Sequence, residues 1–294
     1  MIKLSKIMTR SMKLPAGWYP RDIKGIDGYL GESLAERTGS ARAVAAPHAG
    51  WFFSAKIAAK ALAALDVDAE TVVIAGGHLP AGYPVLFAEE DAVSTPLGDM
   101  PIDGETRALV KREFDRAGIK YAEDAYADNT VEALLPAARR FFPRASLLWL
   151  RLGADIRAAE AGALIARAAA SLNRRAVLIG STDLTHYGPD YGFCPKGLGE
   201  QAVEWVKTVN DRRFIEAVVS GDARAVIERA NNEHSACSAG AVLCALSFSR
   251  QLAAASDGTK PAAKLLAYNT SADALKDSFY GGGSFVGYAA LEMC

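Results

Sequence analysis

The stretch Thr71–His78, TVVIAGGH, decides how the fold is read. Its first five residues are almost continuously apolar, which suits a central strand covered on both faces. The run then breaks into two glycines and a histidine. Glycine lets a backbone approach a ligand closely, so this strand end has room for one. Ala41–Ala46 and Ala176–Gly180 have the same apolar character. Each also leads to a histidine: RAVAAPH ends at His48, and AVLIGSTDLTH ends at His186.

Outward from these runs the chain alternates strand-like and helix-like stretches. Val85–Ala88, Ser146–Leu152, Lys264–Thr270 and Ser284–Leu291 are the remaining strand candidates. Ser54–Leu65, Glu105–Ala117, Val131–Phe142, Arg157–Leu172, Asp211–Ser220 and Ala239–Ala255 carry helical periodicity. Such alternation predicts an α/β fold with a mostly parallel central sheet flanked by crossover helices. Ser256–Pro261 and the glycines Gly281–Gly283 read as a loop and a turn. The length of 294 residues allows one or two domains. With no internal repeat and no Pro/Gly/Ser linker, a single domain over 1–294 is expected.

Bulk properties narrow the function. At 50% hydrophobic and 23% charged, a chain of this length buries its core unaided, so a metal site here serves function rather than folding. The formal net charge of −1 gives no general pull toward nucleic acid or an anionic membrane. No apolar stretch approaches the roughly 20 residues of a membrane span. No apolar segment follows the charged start MIKLSKIMTR, so no signal peptide is expected. The four cysteines, Cys194, Cys237, Cys244 and Cys294, form neither a C-x-x-C pair nor a disulfide framework. Free thiols in a reducing cytoplasm are the expectation.

Three of the four histidines thus fall just beyond apolar strands, where open α/β sheets bind ligands. Ordinary strand-to-helix turns explain the glycines around them but not the imidazoles, which serve as metal ligands or as acids and bases near neutral pH. Convergence of the three depends on strand order, which spacing does not reveal. Cys237, in NNEHSACSAGAVLCAL, falls where a helix begins, and a helix N-terminus favours the thiolate that binds metals or acts as a nucleophile. Cys244 reads as buried packing and His234 as peripheral. Asp183, in STDLTH, either orients His186 or caps the following turn.

Motifs along most of the chain are similar to those of the Memo family, whose bacterial members are called AmmeMemoRadiSam system protein B. LPAGWYP (14–20) resembles the family's AGSFYP segment, and APHAGWFFSAKIAAKAL (46–62) its PHAGYxYSG motif. VVIAGGHLP (72–80) resembles a strand ending in Asn-His or Gly-His, and STPLGDMPID (94–103) its TPLG stretch. STDLTHYG (181–188) resembles SSDLSHY, and CSAGAV (237–242) resembles CGxGPI. LLAYNTSAD (265–273) and FVGYAAL (285–291) resemble the closing strands.

The resemblance implies a fold like that of the class III extradiol dioxygenases, with a metal held by His48, His78 and Cys237. Iron or copper with redox activity is implied first, with zinc as the competitor and hydrolysis as its chemistry. His186 and Asp183 map onto the acid/base positions, and Tyr187 and Asn129 onto the pocket wall. The chain departs from the family where EHSIE…LPF is usual: DNTVEALLPAARRF (128–141) has Asp128 for the glutamate and Asn129 for the histidine, while Glu132 is retained. An amide hydrogen-bonds but moves no proton near neutral pH. Ser238 likewise replaces the glycine of the CG pair. The expected partner is a small-molecule or peptide ligand, either turned over or, in the alternative reading, merely bound.

Overall fold

The computed structural model describes residues 7–37, 39–256, 263–275 and 283–293. In chain order the strands are β1 (Thr9–Arg10), β2 (Ala43–Ala46), β3 (Thr71–Leu79), β4 (Val85–Phe87), β5 (Ala92–Val93), β6 (Met100–Pro101), β7 (Tyr121–Glu123), β8 (Ser146–Gly153), β9 (Ala176–Ser181), β10 (His186–Tyr187), β11 (Ala263–Thr270) and β12 (Phe285–Met293). The helices are α1 (Ile23–Ala35), α2 (Trp51–Ala64), α3 (Gly104–Ala117), α4 (Asn129–Glu132), α5 (Leu135–Phe141), α6 (Arg157–Ser171), α7 (Glu200–Trp205), α8 (Asp211–Ser220), α9 (Ala223–Glu233), α10 (Ala239–Ser256) and α11 (Ser271–Leu275). A π-helical turn, Val206–Asn210, joins α7 to α8.

Among the described residues the main sheet has nine strands, ordered β10-β12-β2-β9-β3-β8-β4-β7, with β11 also paired to β12. Its centre, β2-β9-β3-β8, is parallel throughout. Antiparallel pairings lie outside that centre, β12 on β2 and β4 on β8. The sheet is therefore mixed, with a parallel core. β1, β5 and β6 form a separate small sheet.

The apolar run of β3 serves both faces. Val73 and Ala75 pack toward α3, α6 and α10, while Val72 and Ile74 pack toward α1, α2 and α5. All four are buried, which is why the strand shows no polar alternation. On the first face, α6 and α10 meet at very close range. A Cβ on Gly162 would collide with the backbone of Cys244, and one on Gly240 with the backbone of Gly153. Cys244 is the buried packing residue its pattern predicts, with burial pushing its thiol up to about 12.

Several boundaries differ from the sequence reading. Pro136 opens α5, so the single helix expected over Val131–Phe142 is two short ones. α2 starts at Trp51 rather than Ser54. α1 and α9 were not expected. Gly25, Gly28 and Gly31 dilute the helical pattern of α1, which Asp22 caps by accepting the Gly25 N–H at 2.9 Å. Of the expected loops, 257–261 and 281–282 lie outside the described residues, as does Cys294. No helix among the described residues is long and apolar enough to cross a membrane.

Candidate metal centre

Strand order supplies what spacing could not. β9 is inserted between β2 and β3, although it comes last of the three in the chain. The carboxyl ends of these neighbours therefore deliver His48, His78 and the Ser181–Asp183 exit to one edge of the sheet, at a point where the connections reverse direction. Cys237 arrives from the other direction, just ahead of α10. It is stitched to the β9 exit: its N–H donates to Asp183 O at 3.2 Å, and the Asp183 N–H donates to its Sγ at 3.3 Å. Leu184 and Ala236 continue that pairing as an antiparallel bridge.

One ligand atom each from His48, His78 and Cys237 lie within 4.8 Å of one another. His48 Nε2 is 3.4 Å from Cys237 Sγ. The two imidazole rings meet edge to face, 5.1 Å between centroids. His48 is buried, Cys237 half-buried, and His78 opens to solvent. Both rings are oriented through Nδ1. That of His48 is 2.8 Å from Ser181 Oγ, and that of His78 donates to Asp128 Oδ2 at 3.2 Å. A carboxylate only accepts, so Nδ1 of His78 carries a proton, which leaves Nε2 as the atom a cation would bind by displacing its proton.

Electrostatics reinforce the set. Burial alone would push the Cys237 thiol up, but the His48 and His78 imidazoles outweigh it and hold the thiol well below its usual range. Burial opposes charge on His78 too, yet Asp128 and Cys237 raise it to about 10. His48 is raised likewise by Asp183 and Cys237 against burial. Asp128 is held down to about 2, its burial outweighed by His78, Thr130 and Arg151. A thiolate between two imidazoles is a set of donors that a cation binds by displacing protons. One sulfur and two nitrogens make a donor set of the kind that holds a metal ion.

The other expected residues divide. Asn129 lies beside His48, its Nδ2 donating to His48 O at 3.3 Å. Asp183 is buried and serves His48: Oδ1 accepts the His48 backbone N–H at 2.8 Å, and Oδ2 lies 3.8 Å from its Nε2. The His186 ring is fixed not by Asp183 but by donating from Nδ1 to Leu184 O at 3.1 Å. His186 is half-buried and packs on Tyr191, 4.9 Å between rings. Tyr187 does not line the pocket. Side chains alternate along β10, so Tyr187 points away from the His186 side. Its ring is fully buried on Phe285, and its hydroxyl donates to Gly197 O at 2.8 Å. His234 is exposed against Phe193 at the end of α9.

Other contributors were not singled out from sequence. Ser181 was read only as part of a motif, and Arg151 sat inside an apolar strand pattern, where a buried cation is the signal that could have marked it. Glu132 has a structural task. Its carboxylate accepts the N–H groups of Lys13 and Leu14 at 2.7–2.9 Å and the Tyr19 hydroxyl at 2.9 Å. The segment 14–20 is thereby tied behind α4, and Trp51 locks onto it through Trp18 O at 2.8 Å.

The model of the Memo-like protein family matches residues 10–292. The chain belongs to the Memo-like family. A MEMO1 family protein of Thermococcus onnurineus is 30% identical, the match covering 97% of this chain and 99% of the relative. One from Pyrococcus abyssi is 31% identical over 84% of this chain and 85% of its own length. A third, from Methanothermobacter thermautotrophicus, is 30% identical over 97% and 100%. In this Memo-like chain the three converging donors come from the PHAG, GGH and CSAG motifs.

Proposed function

We propose that this Memo-like protein is a metal-dependent redox enzyme of the cytoplasm, with iron or copper held by His48, His78 and Cys237. The observation that carries the reading is the convergence of three donors from three separate segments within 4.8 Å. When bound, such an ion would supply a redox couple and Lewis acidity. The chain's own residues do the rest. Ser181 and Asp128 orient the two imidazoles, and the exposed side of His78 leaves an approach for a small-molecule or peptide ligand. His186, with Nδ1–H committed to Leu184 O, presents Nε2 as a proton acceptor. Asp183 fixes the backbone of His48 and faces its ring.

A second reading is a ligand-binding protein without turnover. It is favoured by Asn129, whose amide is committed to His48 O and moves no proton. Metal analysis of protein purified without chelator or metal-affinity tag tests the first reading. About one iron or copper per chain is expected, falling sharply in Cys237→Ser, with oxygen uptake in the presence of catechol-like compounds. Zinc at that stoichiometry would favour hydrolysis instead. Absence of any metal, with Cys237→Ser unchanged, would remove both catalytic readings and leave ligand binding.

A further inference from the structure

The three donors are not held alike. His48 is buried, and its ring and backbone are fixed by Ser181 and Asp183. The His78 side chain is 34% exposed against 1% for His48, so packing holds it less firmly. Its backbone is also unfavourable. β3 loses register with β8 between Gly76 and Leu79, and His78 lies in the left-handed region at φ 59°. For a residue with a Cβ that conformation costs roughly 1–2 kcal/mol. Hydrogen bonds must therefore keep the ligand in place.

Those bonds converge on one pair of side chains. Asp128 divides its oxygens between two tasks. Oδ1 caps α4, accepting from Thr130 N at 2.8 Å and from the Thr130 hydroxyl. Oδ2 accepts from His78 Nδ1 at 3.2 Å and pairs with Arg151 Nη1 at 3.2 Å. Arg151 is buried and cannot turn away. Its Nε and Nη2 are fixed bidentately on Asp124 at 2.9 and 2.7 Å. Asp124 is itself fully buried and accepts the Trp149 indole N–H at 2.8 Å. The remaining nitrogen, Nη1, also reaches Gly77 O at 3.5 Å. Thr130 Oγ1 accepts the Gly77 N–H at 3.2 Å. A purely structural Arg151–Asp124 pair would be complete without Asp128, and a helix cap needs only one of its oxygens.

We infer that Asp128, braced by Arg151, is the positioning residue that holds His78 in its strained backbone and aims its Nε2 at the metal. The inference rests on the metal-binding reading above. It makes the site asymmetric: His48 is set by the core, Cys237 by its pairing with the Asp183 backbone, and His78 by a hydrogen-bonded brace.

Cobalt titration of the full chain tests this, reading Kd from the thiolate-to-cobalt absorption together with the ligand-field bands. Asp128→Ser keeps an oxygen for the Thr130 cap but cannot reach His78. It should weaken cobalt binding roughly 10–100-fold, retain the thiolate band at saturation, and shift the ligand-field bands toward those of His78→Ala. Asp128→Glu should recover part of the loss. In a His78→Ala background, Asp128→Ser should cost nothing further. Arg151→Lys is run through the same cycle as a second variant and should show a smaller loss that also vanishes without His78. Unchanged affinity in both variants, or an equal loss with and without His78, would overturn the inference while leaving the metal site intact. Failure of the wild-type chain to take cobalt would instead overturn the metal-binding reading, and this inference with it.

Discussion

Gly77 shows how one missing side chain sets the geometry of this site. A Cβ there would run into the Ser238 side chain and stand 3.0 Å from the Ser238 backbone. Ser238 follows Cys237 directly, so that collision bears on the thiolate itself. Gly77→Ala is expected to destabilise the fold by about 1–3 kcal/mol through overpacking. It should also weaken metal binding more than its stability loss alone implies. Paired thermal melts and metal titrations check this. Gly77→Ala/Ser238→Gly should regain part of both, because only the close approach to the backbone of residue 238 then remains. If metal affinity in Gly77→Ala stays at the wild-type value, the close approach has no bearing on Cys237. His48 and His78 were visible beyond short apolar runs and Cys237 at the start of a helical pattern, while their grouping came from the family resemblance alone. Tyr187 was misplaced because its motif said nothing about which face of β10 it occupies. Asp128 was noticed only as a replacement, and its bond to His78 needs a contact across fifty residues.

Among the elements, the segment 14–20 leans on a single carboxylate. Glu132 is buried and receives two backbone N–H groups and a phenol from that segment and the residue before it. Burial, then Glu132 itself, push the Tyr19 hydroxyl up, so it stays a donor. Glu132→Gln removes the charge from these bonds and presents an amide N–H₂ to donors. It should cost about 2 kcal/mol, and limited proteolysis should cut near residues 14–20 before the rest of the chain. Cleavage elsewhere first would mean that the segment is held by its apolar contacts instead. Retention of Glu132 in a motif was readable, but its partners were not, since they lie more than a hundred residues away. Element type was readable wherever composition was uniform, as in β3, β9 and α6. It failed where glycine diluted α1 and where Pro136 divided a helix. The insertion of β9 between β2 and β3 left no local trace, because parallel strands pair through crossovers rather than turns.

At the scale of the whole molecule, covered carboxyls contribute to the pH dependence of stability in opposite senses. Asp128 and Asp103 are held below their ordinary value, so their contributions are present above about pH 4 and fade as acid protonates them. Asp211 acts in the opposite sense. It lies at the start of α8, where the π-helical turn delivers it and Asn210 beneath the β9–β10 connection. Asp211 Oδ1 accepts the Thr185 N–H at 3.1 Å and the Thr185 hydroxyl, and Oδ2 accepts the Tyr268 hydroxyl at 2.7 Å. Burial raises its carboxyl to about 7 despite those three donors. The unfolded chain releases this proton near pH 4 and the folded chain only near 7. The stabilisation is therefore fully present below about pH 4 and lost as pH rises through about 7. The difference amounts to about 4 kcal/mol. Asp211→Asn accepts from Thr185 in either state and carries no such proton. Denaturant unfolding of both chains from pH 4 to 8 should show the wild type losing about that much relative to Asp211→Asn, with the decline centred between pH 4 and 7. Comparison with the variant cancels the contributions of Asp128 and Asp103. Parallel curves across that range would show that Asp211 is ionised in the folded chain from low pH, its three donors outweighing its burial.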